Sequence, residues 1–545
     1  MTIPRKPLLD FSGKRFLIID DFADMRSMLR NMVESYGVSE VDGAGNGKDA
    51  LTAMAKKDYD VILCDYNLGE EKDGQQILEE ARHRNLLRYS TVFMMITAEN
   101  TLHMVMGAVE YQPDDYMSKP FNKHVLRQRL EKIMLRKSDF EEIERAIRQG
   151  RLTQAIQLCD GKIHGKPHNV SEFLKCKAEL YEKMEQFAEA QAVYETVLDG
   201  RDVPWARMGL GRIAYRTGRY ETARETFADI IGQNANNMEA HDWLARCLVR
   251  LEEDDAAVEV LLTATRLSPK AIQRQMALGD LALEKGRYEI AERAFKKAVQ
   301  IGAHSVFKSP ANYTKQARAM VHTGSKKDAL RVLGKLRKDF PRDEQADFQA
   351  TLCEHGVLLE MGREEEARKA FARAAGQFDR MGGQLPAELI LEMAQAFIAN
   401  GDKDKGTELV SDLVKNHHED ETLLERIQHS LAQVGMEEEG KRLISDSRGK
   451  VVKLNNQGVR YAQEGRLGEA ISLFQEALED MPDNKTINSN TAMVLIMHME
   501  QHGRREDYLR LARKCLETVK ARCTPQAELF RLQERLSRLT KSHAA

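Results

Sequence analysis

At 545 residues, with 31% charged and 6% aromatic side chains and a formal net charge of −3, the chain is too long for one hydrophobic core and nearly balanced electrically. That balance removes any global electrostatic case for nucleic-acid or anionic-membrane binding, and 12 prolines are too few for long disordered linkers. Seven cysteines, odd in number and scattered without a CxxC pair or metal spacing, predict a reduced, cytoplasmic chain.

The opening MTIPRKPLLDFSGKRFLIID lacks the uninterrupted apolar run of a secretory leader. No stretch approaches the roughly 18 apolar residues needed for membrane insertion. RFLIID (15–20) is a short apolar run ending in acids, and a helical pattern follows at 24–36. SEVDGAG (39–45) predicts a second strand, 47–57 a helix, and DVILCD (60–65) a buried strand. GQQILEEARHR (74–84) is helical, TVFMMIT (91–97) is a buried strand, and 100–110 is helical. DDYMSKP (114–120) holds a last short strand before a helix that starts near Asn122. Five short apolar strands alternating with helices predict an α/β fold, a doubly wound five-stranded parallel sheet of flavodoxin type.

Beyond about residue 140 the strand signal stops and the chain repeats itself. GRYETARETF (218–227), GRYEIAERAF (286–295), GREEEARKAF (362–371) and GRLGEAISLF (465–474) share the pattern Gly-Arg-x-x-x-Ala-x-x-x-Phe. Ala190, Ala223, Ala257 and Ala291 are spaced by 33, 34 and 34 residues, the period of a helix–turn–helix solenoid. Small alanines let paired helices approach, the phenylalanine fills the gap beyond, and Pro269 and Pro482 mark turns into the next unit. These positions, with Leu210-Gly211, Leu278-Gly279, Phe227, Phe295 and Phe474, resemble tetratricopeptide repeats (TPR), which implies an all-α TPR solenoid. Between 300 and 450 the spacing loosens, with IGAHSVFKSPANY (301–313) and GQFDRMGGQLP (376–386) as extended turns.

Four features fall in order on the predicted sheet. Asp20-Asp21 end the first strand, Asp65 the third and Thr97 the fourth, and Lys119-Pro120 follow the fifth. Taken singly each is ordinary, but a doubly wound sheet brings all of them to one edge. Crowded carboxylates call for a divalent cation, and a hard oxygen site with few ligands suits Mg²⁺. A lysine and a threonine hydroxyl beside them could hold a phosphoryl group. The set resembles the receiver domain of two-component response regulators, over residues 14–137. The resemblance implies that Asp65 accepts a phosphoryl group from a phosphohistidine. It implies that Asp21, Asp65 and the main-chain carbonyl of Asn67 ligate Mg²⁺, with Asp20 acting through water. Lys119 would pair with a phosphoryl oxygen, Thr97 would hydrogen-bond it, and Tyr116 would follow Thr97 inward. A cis Lys119–Pro120 bond is also implied. Asn67 and Glu99 occupy the family's positions that tune hydrolysis, and both are polar, which implies a phosphate that turns over. The loop YNLGEEKDG departs from the family in lacking its usual proline and in being one residue longer. Cys64 precedes the acceptor but points to the opposite face of its strand, as a small core residue.

The expected organisation is an extension over 1–13, the receiver over 14–137 and a junction helix or half-repeat over 138–160. Regular repeats follow over 171–300, degenerate repeats over 301–450, and a terminal repeat with capping helices over 451–540. With no Gly or Pro between Asn122 and Gly150, the receiver–array junction is expected to be short and stiff. No catalytic motif is visible in the array, so the chain reads as a non-enzyme whose output is protein binding. In the repeat frame Arg212 and Arg246 are equivalent, as are Arg216 and Arg250, with Trp205 and Trp243 near the same helix starts. They could hold an acidic partner segment, against the plainer reading of solvated arginines and core tryptophans. The partners implied are a sensor histidine kinase or phosphotransfer protein, and an unnamed protein in the TPR groove, with homodimer formation left open. The function expected is a phosphorylation-gated adaptor. A phosphate sink with a constitutively bound array is the alternative, and a transcription factor with an unrecognised DNA-binding element is a more distant one.

Overall fold

Residues 16–19, 61–64 and 92–96 are almost uninterrupted apolar runs, and a strand of that kind must be covered on both faces. The computed structural model describes residues 10–69, 71–98, 113–165, 169–382, 385–522 and 527–541. The helix expected at 100–110 and the position Glu99 lie outside the described residues. The strands are β1 (Arg15–Ile19), β2 (Glu40–Ala44), β3 (Val61–Asp65), β4 (Val92–Thr97) and β5 (Asp115–Ser118). They form one parallel sheet in the order β2-β1-β3-β4-β5. Helices α1 (Ala23–Glu34), α2 (Gly47–Lys56), α3 (Gly74–His83) and α4 (Lys123–Ser138) accompany it. One face packs Phe16, Ile18, Leu63 and Met94 against Leu29 and Val33 of α1 and Leu126 and Leu130 of α4. The other packs Leu17, Ile19, Cys64 and Phe93 against Leu51 and Met54 of α2 and Ile77 and Leu78 of α3. Alternation along each strand decides which side chain goes to which face.

The rest of the chain is a run of helices. In the repeats each Gly-Arg pair closes one helix and opens the next. The helix Pro204–Arg216 ends with Gly218 at φ +77, where Arg219 N donates to Ala214 O at 2.8 Å and Gly218 N to Tyr215 O at 3.1 Å. This left-handed cap satisfies two carbonyls that the helix leaves open and suits glycine. The same turn recurs at Gly286, Gly362 and Gly465, all with positive φ. Three of the four repeat phenylalanines meet a glycine on the preceding helix, whereas Phe371 meets His355. An added Cβ would lie 2.7 Å from the Phe227 ring at Gly211, and 2.4 Å from the Phe295 and Phe474 rings at Gly279 and Gly458. Phe227 also stacks on Trp243 of the following helix, with centroids 6.0 Å apart.

The chain divides into two compact units, Met1–Glu182 with Gln186–Val332, and Lys183–Glu185 with Leu333–Ala545. In the second unit one helix, Glu437–Gln463, runs through residue 450, where the sequence places a segment boundary. It contains no proline, and Gly449 alone does not stop it. Among the described residues no helix is long and apolar enough to cross a membrane.

The second unit buries two neutral histidines. His355 Nδ1 lies 3.0 Å from the Ala367 carbonyl, and its Nε2 lies 3.2 Å from the Asn400 amide. His418 Nδ1 accepts from Asn484 Nδ2 at 2.9 Å. Burial lowers both pKa values below the ordinary 6.5, although the Ala367 carbonyl and Glu419 respectively work against it. A pKa depressed on folding stabilises above the unfolded value and is lost as pH falls through the folded one. The melting temperature of this unit is therefore expected to drop between about pH 7 and about pH 5. Thermal scans of wild type and of the His355→Gln, His418→Gln double variant check this: the variant's drop should be smaller.

Candidate functional site

The carboxyl edge of the sheet is built by register. Asp65 ends β3 opposite Ile96 of β4, and Thr97 pairs with Ser118 of β5. Asp20 follows β1 directly, and its amide donates to Ala44 O of β2 at 3.2 Å. Its side chain accepts from Phe22 N at 2.9 Å, and Arg26 Nη1 ties down the Asp20 and Asp21 carbonyls at 2.6 and 3.1 Å. The turn after β5 is held by Lys119 N donating to Thr97 O at 2.7 Å, and the Lys119–Pro120 bond is cis.

These constraints converge four side chains. Carboxylate oxygens of Asp20, Asp21 and Asp65 lie within 4.8 Å of one another. Lys119 Nζ donates to Asp65 Oδ2 at 3.0 Å and to Asp20 Oδ2 at 3.1 Å. Asp20 and Asp65 are buried, and Asp21 is exposed. Burial pushes the Asp65 pKa up, and the Lys119 ammonium only partly offsets that. Burial by itself would lower Lys119, but hydrogen bonds to Asp65 and Asp20 leave it raised and charged. A divalent cation suits this donor set, because three carboxylates crowded around one lysine leave negative charge uncompensated. The residues fit Mg²⁺: an all-oxygen set, open to water on the Asp21 side. Such an ion would supply positive charge against phosphoryl oxygens.

Thr97 is half-buried at the end of β4. Tyr116 lies on neighbouring β5, opposite Met95, and its hydroxyl is buried with no hydrogen-bond partner among the described residues. Burial raises its pKa. Asn67 is exposed in the loop after Asp65, where its side chain accepts from Gly69 N at 3.4 Å. The loop returns to α3 through Asp73, whose side chain caps the helix by accepting from Gln76 N. Gly74 then packs on the backbone of β3: a Cβ there would stand 2.4 Å from Asp65 O. Only glycine permits that approach. Cys64 is fully buried, and burial raises its thiol pKa well above the ordinary value.

The chain matches the response regulator receiver domain family over residues 16–131, and tetratricopeptide repeat families over 177–238, 210–272 and 272–301. Chemotaxis protein CheY-3 of Vibrio cholerae serotype O1 is 31% identical over 122 residues, which are 22% of this chain and 92% of that protein. The chain belongs to the response regulator receiver family. Chemotaxis protein CheY of Pseudomonas aeruginosa is 30% identical over 122 residues, covering 97% of that protein and 22% of this chain. Among solved structures, Vibrio cholerae CheY4 is 25% identical and covers 22% of this chain and 98% of its own, with a TM-score of 0.21. Receiver domains typically bind Mg²⁺ through acidic residues, and the Asp20, Asp21 and Asp65 cluster is of that kind.

The groove residues read from the sequence have differing surroundings. Arg212 is largely buried, donating to Glu182 Oε1 at 2.9 Å, to Glu239 Oε1 at 3.2 Å and to the Tyr194 hydroxyl at 3.2 Å. Its charge is committed inside the array. Arg246 is exposed, with its guanidinium 4.7 Å from the Trp243 ring centre. Arg250 lies 5.3 Å over Tyr220, and Arg216 is exposed. Trp205 packs edge-on to Tyr194, and Trp243 against Phe227 and Tyr215, so both tryptophans fill gaps between helices.

One residue near the acceptor loop escapes sequence reasoning. Lys270, from the repeat array, donates to Asp73 Oδ2 at 2.9 Å and to the Tyr66 hydroxyl at 3.3 Å. The residues lie 197 and 204 positions apart in sequence, and no local pattern signals such a contact.

Proposed function

We propose that this receiver takes a phosphoryl group on Asp65 from a phosphohistidine of a sensor kinase or phosphotransfer protein, and that the repeat array carries the signal by binding another protein. The observation that supports it most is Lys119 Nζ bridging Asp65 and Asp20 beside Asp21. An Asp65 oxygen attacks phosphorus, the P–N bond breaks, and the imidazole leaves with the electron pair and takes a proton. Asp21, Asp65 and the Asn67 carbonyl, with Asp20 through water, would hold Mg²⁺, which would supply positive charge against the phosphoryl oxygens. Lys119 pairs with one oxygen, and Thr97 donates to another. Tyr116 on β5, whose hydroxyl has no hydrogen-bond partner among the described residues, follows the threonine. In the array, exposed Arg216, Arg246 and Arg250 offer an acidic partner segment a cationic face, whereas Arg212 holds Glu182 and Glu239.

Affinity capture with full-length protein tests this reading. Wild type treated with acetyl phosphate and Mg²⁺ is expected to retain a partner set that untreated wild type and Asp65→Ala do not. Identical capture by all three would instead favour a phosphate sink with a constitutive array, and salt-sensitive retention of DNA would favour a transcriptional role.

A further inference from the structure

The array returns to the receiver far from their covalent junction. At that junction α4 ends at Ser138 and the helix α5 (Glu141–Arg148) begins after two residues. Phe140 stacks on Phe173 at 4.3 Å, and Glu144 accepts from Tyr89 N and Ser90 N at 2.7 and 3.2 Å. These contacts explain a short, fixed linker. They do not explain a second contact made by Lys270 and the turn 301–307, more than 120 residues further on.

That second contact is built from several kinds of interaction. Lys270 holds Asp73 and Tyr66, as described above. Ser305 Oγ donates to Glu79 Oε2 at 2.7 Å, and both residues are buried. Gln76 Nε2 donates to Ile301 O at 3.3 Å, and Lys72 Nζ donates to His304 O at 2.5 Å. Those carbonyls end the helix Tyr288–Ile301 and the 3-10 turn Gly302–His304 that follows it, so the receiver supplies donors that these elements themselves cannot. His83 of α3 meets the Phe307 ring edge-on at 5.4 Å.

The same loop borders the acceptor site. Gly69 stands over Asp21, with a Cβ there 4.0 Å from Asp21 Oδ2, and the Gly74 backbone presses on Asp65 O. Described residues of this loop thus touch the carboxylate cluster at Gly69 and Gly74 and the array at Tyr66 and Asp73. Asp65 is buried with Lys119 against its carboxylate. A phosphoryl group on Asp65 would add bulk and negative charge beside the loop that Lys270 holds through Asp73 and Tyr66.

We propose that Lys270 and the turn 301–307 form a latch on the acceptor loop, and that phosphoryl transfer to Asp65 opens it. The inference rests on Asp65 being the acceptor. Lys270 is a positioning residue here: it touches the loop and not the reacting atoms. Binding linkage makes the coupling reciprocal. A phosphoryl group that weakens the latch is itself bound better when the latch is already broken.

Two measurements on the full chain test this. The first is hydrogen exchange of peptides spanning 301–310, with and without beryllofluoride and Mg²⁺. The second is the loading of Asp65 by acetyl phosphate, followed by intact mass. Beryllofluoride is expected to speed exchange across 301–307 in wild type by about fivefold or more. Lys270→Ala and Ser305→Ala are each expected to show raised exchange without beryllofluoride and faster loading, while Lys270→Arg stays close to wild type. Unchanged or slower exchange on loading overturns the latch, and so does unchanged or slower loading in both alanine variants. In those cases the acceptor reading stands, because wild type has still gained the phosphoryl mass. If wild type gains none, the acceptor reading fails and the latch falls with it.

Discussion

Asp65→Ala is expected to abolish the mass gain of one phosphoryl group when the chain is incubated with acetyl phosphate and Mg²⁺. The candidate site offers three carboxylates, and burial separates their roles. Asp21 is exposed and suited to a metal, while Asp20 is almost fully buried and hydrogen-bonded to the turn that carries it. Asp65 is the one that shares Lys119 with Asp20 at the end of the central strand. Chelating the metal should stop loading in wild type as completely as the substitution does. Lys119→Ala removes the ammonium that donates to both buried carboxylates and should slow loading by about 10²–10³, the usual effect of losing a donor to developing negative charge. Its far-ultraviolet dichroism is expected to match wild type, since the ammonium group is not part of the hydrophobic core. Loading of Asp65→Ala at the wild-type rate would move the acceptor elsewhere.

Phe295→Ala is expected to cost about 3–5 kcal/mol of stability, measured by denaturant unfolding. Its ring is fully buried and fills the space left by Gly279 on the preceding helix. It joins a cluster with Ala282, Ala291 and Ala319. The buried alanines cannot close the gap, and Met276, Leu283 and Ile290 pack only from its partly buried rim, so most of the cavity should stay open. The exposed Val249 is the control: Val249→Ala should lie within about 0.5 kcal/mol of wild type. The converse change, Gly279→Val, forces branched atoms into the Phe295 ring and should also destabilise, through overpacking. Equal stability of Phe295→Ala and Val249→Ala would show that the ring does not join the helices.

The sequence was most legible where physics acts locally. Strand ends were readable to within one or two residues because each apolar run stops at an acid or a turn residue: β3 ends at Asp65 and β4 at Thr97. Asn122 was readable as a helix start because its side chain can accept from the open amides, and it does so from His124 N and Val125 N. The Gly-Arg turns were readable from their period, and their positive φ values give the chemical reason for glycine. Arg212 shows the limit. By repeat position it is equivalent to the exposed Arg246, yet it pairs with Glu182 and Glu239. Periodicity assigns a residue to a face, but the neighbours on that face decide whether its charge is spent internally.

The amino-acid sequence by itself determined the α/β receiver, the helical repeats behind it, and the strand ends on which Asp20, Asp21, Asp65 and Lys119 sit. All of these follow from periods, caps and runs spanning a few to 34 residues. Only the tertiary structure decided the distances that make the site, such as Lys119 Nζ at 3.0 Å from Asp65, and the return of the array to the acceptor loop. The reason is cumulative placement. Each repeat sets only the next one's position, so where Lys270 and Ser305 come to lie is the sum of many packing geometries, which no local pattern spells out.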